Sequence, residues 1–170
     1  MKKIFVILTT LASFSIIACN DGSKTSDANT TSEAPKEDTS AKAATETSSA
    51  SNTIELTAND QMKFDKIELR VKANEKVTLT LKNIGTMPKE SMGHNFVLLK
   101  DGTDLAAYAN SGISAPDHVP ANNPATVAHT KVLGPGESDT IEFTVPAGQY
   151  TYICSFPGHY LSMTGTLTAE

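Results

Sequence analysis

The chain has 170 residues, of which 39% are hydrophobic, and a formal net charge of -5. This accommodates one modest domain with appendages, and the acidic balance argues against nucleic acid or anionic lipid as a partner. Its only thiols are Cys19 and Cys154.

Residues 1–18 carry a basic start, Lys2 and Lys3, then an apolar stretch from Ile4 to Leu11 continued by Phe14, Ile16 and Ile17. Interrupted by Thr and Ser, it falls short of the ~18 consecutive apolar residues of a membrane span and reads as a secretion signal. It ends in Ile16-Ile17-Ala18-Cys19, which resembles the lipobox of bacterial lipoproteins. That resemblance implies a lipidated Cys19 as first mature residue, anchored more firmly than by a single chain. By the sorting pattern of that class, Asn20 implies passage to an outer membrane. An ordinary secretory peptide with an incidental cysteine is the other reading. Without Lys2 and Lys3, 12 basic residues face 19 acidic ones, a charge of -7.

Residues 20–52 contain no Val, Ile, Leu, Met or aromatic residue. Such a segment cannot bury a core, so residues 19–52 are expected to be a disordered tether. Its coil dimension is expected to be roughly 30 Å.

At Thr53 the composition changes. Ile54 and Leu56, then Ile67, Leu69 and Val71, then Val77, Leu79 and Leu81 form period-two runs, separated by the turn formers Asn59-Asp60 and Ala73-Asn74-Glu75. Asp60 reads as turn chemistry and not as a catalytic carboxylate. His94 to Leu99 is shorter and more continuously apolar. Asp104 to Asn110 suits a short helix, and the Gly, Pro and Asn density of residues 111–125 marks a surface excursion in which His118 is expected to be solvated. Strands resume from Thr126 to Leu133, with His129 half-exposed, and continue through Ile141, Phe143 and Val145 after Gly134-Pro135-Gly136. Beyond the turn Pro146-Ala147-Gly148 come Tyr150, Tyr152 and Cys154, and a last run covers Thr164 to Ala169. The pattern predicts an all-β domain over residues 53–170, an antiparallel sandwich of seven or eight strands.

The chemistry gathers in Cys154-Ser155-Phe156-Pro157-Gly158-His159-Tyr160-Leu161-Ser162-Met163. A loop between two strands folds back, so that thiol, imidazole and thioether at Cys-x4-His-x3-Met spacing can face one point. A soft thiolate, imidazoles and a weak axial thioether are the ligand set of a blue-copper site, which needs a second His. Met92-Gly93-His94-Asn95 offers it. With Cys19 acylated, Cys154 would be the lone thiol of an exported protein, and metal ligation would keep it from being a reactive liability.

Met92-Gly93-His94-Asn95, Val127-Ala128-His129-Thr130-Lys131, Cys154-Ser155-Phe156-Pro157-Gly158-His159 with Met163-Thr164-Gly165-Thr166-Leu167-Thr168, and Asn59-Asp60-Gln61-Met62-Lys63-Phe64-Asp65 resemble the azurins, bacterial cupredoxins. The resemblance covers essentially all of residues 53–170. It implies a Greek-key β-sandwich with a short helical flap. The metal would be one type 1 copper held by His94, Cys154 and His159, with Met163 as distant axial thioether and the Gly93 carbonyl approaching from the other side. It further implies that Asn95 ties the His94 strand to the Cys154 loop and that the Phe156 N–H points at the Cys154 sulfur. An apolar patch of Met92, Pro157 and Leu161 around His159, joined by Met87, would dock redox partners such as c-type cytochromes or copper or haem reductases. The chain departs from the azurin pattern in lacking the cysteines of an early disulfide, in carrying Phe96 where Trp is common, and in placing Asn83 where some azurins have a titrating His.

With every inner ligand supplied by protein, no position remains for substrate, and the expected role is electron transfer between periplasmic or cell-surface partners. A hydrolase with Cys154 as nucleophile and His159 as base would need an orienting group and an oxyanion hole, and neither is signalled. Copper storage or delivery on the same fold is the competing function.

Overall fold

Alternation of apolar and polar residues builds the frame, because successive side chains of a strand point to opposite faces. The computed structural model describes residues 50–170. Its strands are β1 (Thr53–Asn59), β2 (Lys63–Phe64), β3 (Glu68–Val71), β4 (Lys76–Asn83), β5 (Val97–Lys100), β6 (Thr126–His129), β7 (Ser138–Thr144), β8 (Gly148–Ile153) and β9 (Thr164–Ala169). One sheet has the order β2-β1-β4-β7 and the other β3-β9-β8-β5-β6. Residues 1–18, Cys19 and the tether up to residue 49 lie outside the described residues.

Among the described residues there are nine strands where the pattern predicted seven or eight. The additional one, β2, is two residues long and shows no periodicity. It forms because the chain reverses at Met62, whose φ is 53° and whose N–H donates to the Asn59 carbonyl at 3.0 Å, so that Lys63 pairs with Asn59 and Phe64 with Ala58. The sandwich is also not purely antiparallel: β1 runs parallel to β4, and β3 parallel to β9. Each parallel pair follows from a connection that crosses to the opposite sheet before returning, which a hairpin cannot do. Ile67, read as the first inward residue of the second run, lies outside β3 and is 65% exposed.

Leu56, Leu79, Leu81, Phe96, Leu98, Tyr152, Met163 and Leu167 are fully buried between the sheets. The continuous apolar run before Leu99 has its reason in a second core. Helix α1 (Lys89–Met92) leads into the His94 segment, and helix α2 (Leu105–Gly112), the expected flap, lies over the outer face of the second sheet. Val97, Leu99 and Ile153 are buried under Tyr108 of α2 and Val119, while Leu98 faces the other way into the sandwich. Both faces of β5 are therefore covered, and alternation is lost. Asp104 caps α2 by accepting the Ala107 N–H at 3.0 Å. Among the described residues, no helix is long and apolar enough to cross a membrane.

Tyr152 couples the sheets to the domain's edge. Its ring packs against Phe64 and Phe96 with centroid separations of 5.6 and 5.2 Å, and its hydroxyl donates to the Lys66 carbonyl at 2.7 Å. The ring lies so close over Gly165 that a Cβ there would collide with it and with the Ile67 carbonyl. Gly165→Ala is therefore expected to cost about 1–3 kcal/mol by overpacking. Tyr152→Phe, which removes one partly buried hydrogen bond, should cost only about 0.5–1.5 kcal/mol. Urea unfolding of the metal-free protein should return that order.

Candidate metal centre

Three segments meet at one end of the sandwich. Gly93 closes α1 in an extended conformation, and no side chain fits there: a Cβ would lie 2.6 Å from Val132 Cγ1, 2.7 Å from the Lys89 carbonyl and 3.0 Å from the Phe156 ring. The next residue, His94, exchanges two backbone hydrogen bonds with Leu133, at 3.1 and 2.7 Å. Cys154 emerges from β8, and its N–H donates to the Met163 carbonyl at 3.0 Å. That bond makes Cys154 and Met163 the two feet of a closed loop. Inside it the His159 N–H donates to the Phe156 carbonyl at 3.0 Å and the Met163 N–H to the His159 carbonyl at 2.8 Å. Gly158 supplies the left-handed turn, φ 83°, that brings His159 back.

The result is a cluster of three side chains. Cys154 Sγ lies 3.9 Å from His94 Nδ1 and 3.6 Å from His159 Nδ1, and the donor atoms are all within 4.8 Å of one another. Cys154 and His94 are completely buried and His159 is 4% exposed.

Burial dominates the electrostatics. It pushes the Cys154 thiol up to about 12, although the backbone N–H groups of Asn95 and Phe156 pull the other way. It lowers His94 against the Asn59 carbonyl and Asp60, and lowers His159 to about 4, helped by His94 and His118. Near neutral pH the cluster therefore consists of a protonated thiol and two free-base imidazoles, with ring nitrogens facing a buried sulfur. His94 Nε2 is the one buried side-chain polar atom among the described residues with no hydrogen-bond partner. The Asn59 carbonyl faces that ring without reaching hydrogen-bond geometry. A bound cation inverts this balance, favouring the thiolate that burial otherwise forbids. One soft sulfur and two imidazole nitrogens, with no carboxylate among them, suit copper and not calcium or magnesium.

Comparison with known proteins agrees with this donor set. Residues 50–170 match the model of the copper binding proteins of the plastocyanin/azurin family. The chain belongs to that family. Azurin-2 of Alcaligenes xylosoxydans xylosoxydans is 46% identical over 118 residues, covering 65% of this chain and 91% of that one. The azurin of Achromobacter denitrificans is 44% identical over 120 residues, 66% of this chain and 80% of its own. Among solved structures, reduced auracyanin from Roseiflexus castenholzii has a TM-score of 0.65 at 39% identity, covering 72% of this chain and 99% of its own. Copper is the cofactor, His94, Cys154 and His159 form the potential site for it, and the fold is the family's β-sandwich.

Around this cluster the other residues singled out in the sequence take defined places. The Asn95 side chain donates to Ser155 Oγ and to the Asp117 carbonyl, both at 2.8 Å, and accepts the Ser155 N–H at 2.8 Å. The Phe156 ring lies against His159, centroids 4.7 Å apart. Met163 is fully buried, Met92 half-buried, Pro157 exposed, Met87 41% exposed and Leu161 76% exposed. Asp60, read as local turn chemistry, reaches further: its carboxylate accepts the Thr86 N–H and hydroxyl at 2.8 and 2.9 Å and the Met87 N–H at 3.2 Å, holding the loop that carries Met87. The buried Asn83 donates to the Leu133 carbonyl at 3.0 Å, behind His94. His129 is exposed.

His118 departs from expectation. It is partly buried, its ring nearly perpendicular to that of Phe156 with centroids 5.1 Å apart, and its Nδ1 lies 2.9 Å from the Ile113 carbonyl. Sequence alone held no signal for this, because the excursion of residues 111–125 has no periodicity to tell its inner from its outer side. Asp117 went unremarked for the same reason, while Ser155 proves to be the residue through which Asn95 ties the Cys154 loop.

The shifted groups set a pH window for the metal-free protein. His159 has a lower pKa folded than unfolded, so its contribution is present above about 6.5 and is lost as pH falls toward about 4. The Cys154 contribution is present below about 9 and is lost as pH rises toward about 12. Thermal melts of the metal-free protein should show stability declining on both sides of the range 6.5–9. In His159→Gln the acid-side slope between 6.5 and 4 should flatten.

Proposed function

We propose that the protein is a type 1 blue copper electron carrier, exported and held at a membrane by lipid on Cys19, with the outer membrane favoured. His94 Nδ1, His159 Nδ1 and the Cys154 sulfur would hold the metal, with Met163 and the Gly93 carbonyl as further, weaker ligands. Copper supplies a one-electron Cu(I)/Cu(II) couple. The observation that carries the reading is the convergence of three buried donors from segments braced independently of any metal, His94 by Leu133 and Cys154 by Met163.

Each residue contributes a definite physical effect. Cys154 gives up its proton on ligation, so binding weakens as pH falls. His94 and His159 are held as free bases by burial and need shed nothing. The hydrogen bonds of Asn95 to the Ser155 main chain and hydroxyl hold the Cys154 loop in place, and a loop so held would rearrange little on electron exchange. Backbone N–H groups at the sulfur and exclusion of water tune the potential.

His159 is the ligand with access to solvent, at 4% exposure, and the exposed Leu161, Pro157 and Met87 with half-buried Met92 surround its loop with apolar surface. A patch of this kind suits brief docking with c-type cytochromes or copper or haem reductases, whose encounters use small interfaces. A tether over residues 19–52 would let the domain reach such partners from the membrane. The alternative of storage or delivery requires a readily exchanged metal, which a buried, doubly braced cluster disfavours.

One equivalent of Cu(II) added to the purified domain should produce an intense visible thiolate-to-copper band that Cys154→Ser abolishes. Weak colour with rapid loss of metal to a chelator would point instead to storage. Leu161→Asp should leave the band unchanged and slow reduction by a c-type cytochrome several-fold, read by stopped-flow absorbance.

A further inference from the structure

Between α2 and β6 the chain makes a 3-10 turn, Pro116–His118, in which two successive non-glycine residues are left-handed: Asp117 at φ 51° and His118 at φ 54°. For side chains with a Cβ this conformation is unfavourable, and it persists where surrounding contacts over-determine it. The contacts are on hand. The Asp117 carbonyl accepts from Asn95 Nδ2 at 2.8 Å, while its carboxylate Oδ1 accepts the Val132 N–H at 2.8 Å. Val132 precedes Leu133, the backbone partner of His94, and its methyl closes the space beside Gly93. Asn95 in turn holds Ser155, next to Cys154. The following residue, His118, sets its ring on Phe156, which lies against His159. From behind, the turn is seated on the end of α2: Gly112 has no room for a Cβ against the His118 carbonyl, and the His118 ring meets the Ile113 carbonyl.

We infer that Asp117 is a positioning residue for the metal centre, a strained hub whose two oxygens join the His94 segment to the Val132–Leu133 segment and, through Asn95, to the Cys154 loop. This rests on the copper reading above, but the bracing itself does not require metal. With the backbone left-handed, carbonyl and carboxylate of the same residue reach Asn95 and Val132 on different segments. Substitution at this position, without touching any ligand, should loosen the loop and weaken its hold on the donors of a bound copper.

The test compares Asp117→Asn, Asp117→Gly and Asp117→Ala. Asn keeps an oxygen for Val132 and tolerates the left-handed region; Gly keeps the backbone and removes the oxygen; Ala removes the oxygen and strains the backbone. In the metal-free protein, amide hydrogen exchange at Val132 and Ser155 should accelerate at least tenfold in Gly and Ala and stay near wild type in Asn. In the copper form, Gly and Ala should show a lower reduction potential and a wider parallel copper hyperfine splitting, with Asn restoring both. Unchanged exchange in a folded Gly variant, or an unchanged spectrum and potential despite faster exchange, would overturn the inference. Should the wild-type protein develop no thiolate-to-copper band, the copper reading fails and the exchange measurement still decides whether Asp117 braces the loops.

Discussion

A thiol and two imidazoles held together out of water, each in its uncharged state, are the constraint on which the rest depends. Burial keeps Cys154 protonated and both histidines neutral, so the cluster is tolerable without metal and strongly favoured with it. Such a site needs walls that keep solvent out and supports that keep the donors from drifting apart. The sandwich supplies both at one end: Phe96 and Met163 belong to the main core, Phe156 packs against both His159 and His118, and the tightly packed Gly93 at the end of α1 abuts that same Phe156 ring.

The supports are backbone hydrogen bonds between segments distant in sequence, stitched by a few polar side chains. Asn95 and Ser155 are separated by 60 residues, and Asn83 and Leu133 by 50. Asp60 performs the same service for the loop ahead of α1, and Asp117 for the turn after α2. Asn95, Asn83, Asp60 and Asp117 all bind backbone groups of distant segments, so the same bonds that satisfy the chain also hold the donors of the cluster in place.

The domain manages without the disulfide that its resemblance to azurins would lead one to expect. Cys154 is the only free cysteine among the described residues, so no cross-link limits the unfolded chain there. Two cores share the second sheet, one between the sheets and one under α2, and both faces of β5 and the end of β8 are covered. The five ion pairs of the described domain lie on exposed side chains, where such pairs contribute little.

Much of this was legible in the chain as written. Strict alternation in Ile54–Leu56, Leu69–Val71 and Val77–Leu81 determined strands and their inward faces, since a period of two leaves one choice of buried side. The Cys-x4-His-x3-Met spacing, with Met92-Gly93-His94-Asn95, determined the donor set, because residue chemistry is a property of sequence. Folding alone decided the parallel pairings, the brief β2, the exposure of Ile67 and above all the inward turn at Asp117 and His118. Those depend on which loops happen to face one another across the end of a sandwich, and a loop without periodicity carries no mark of its buried side until the opposing surface, here Phe156 and Asn95, is in place.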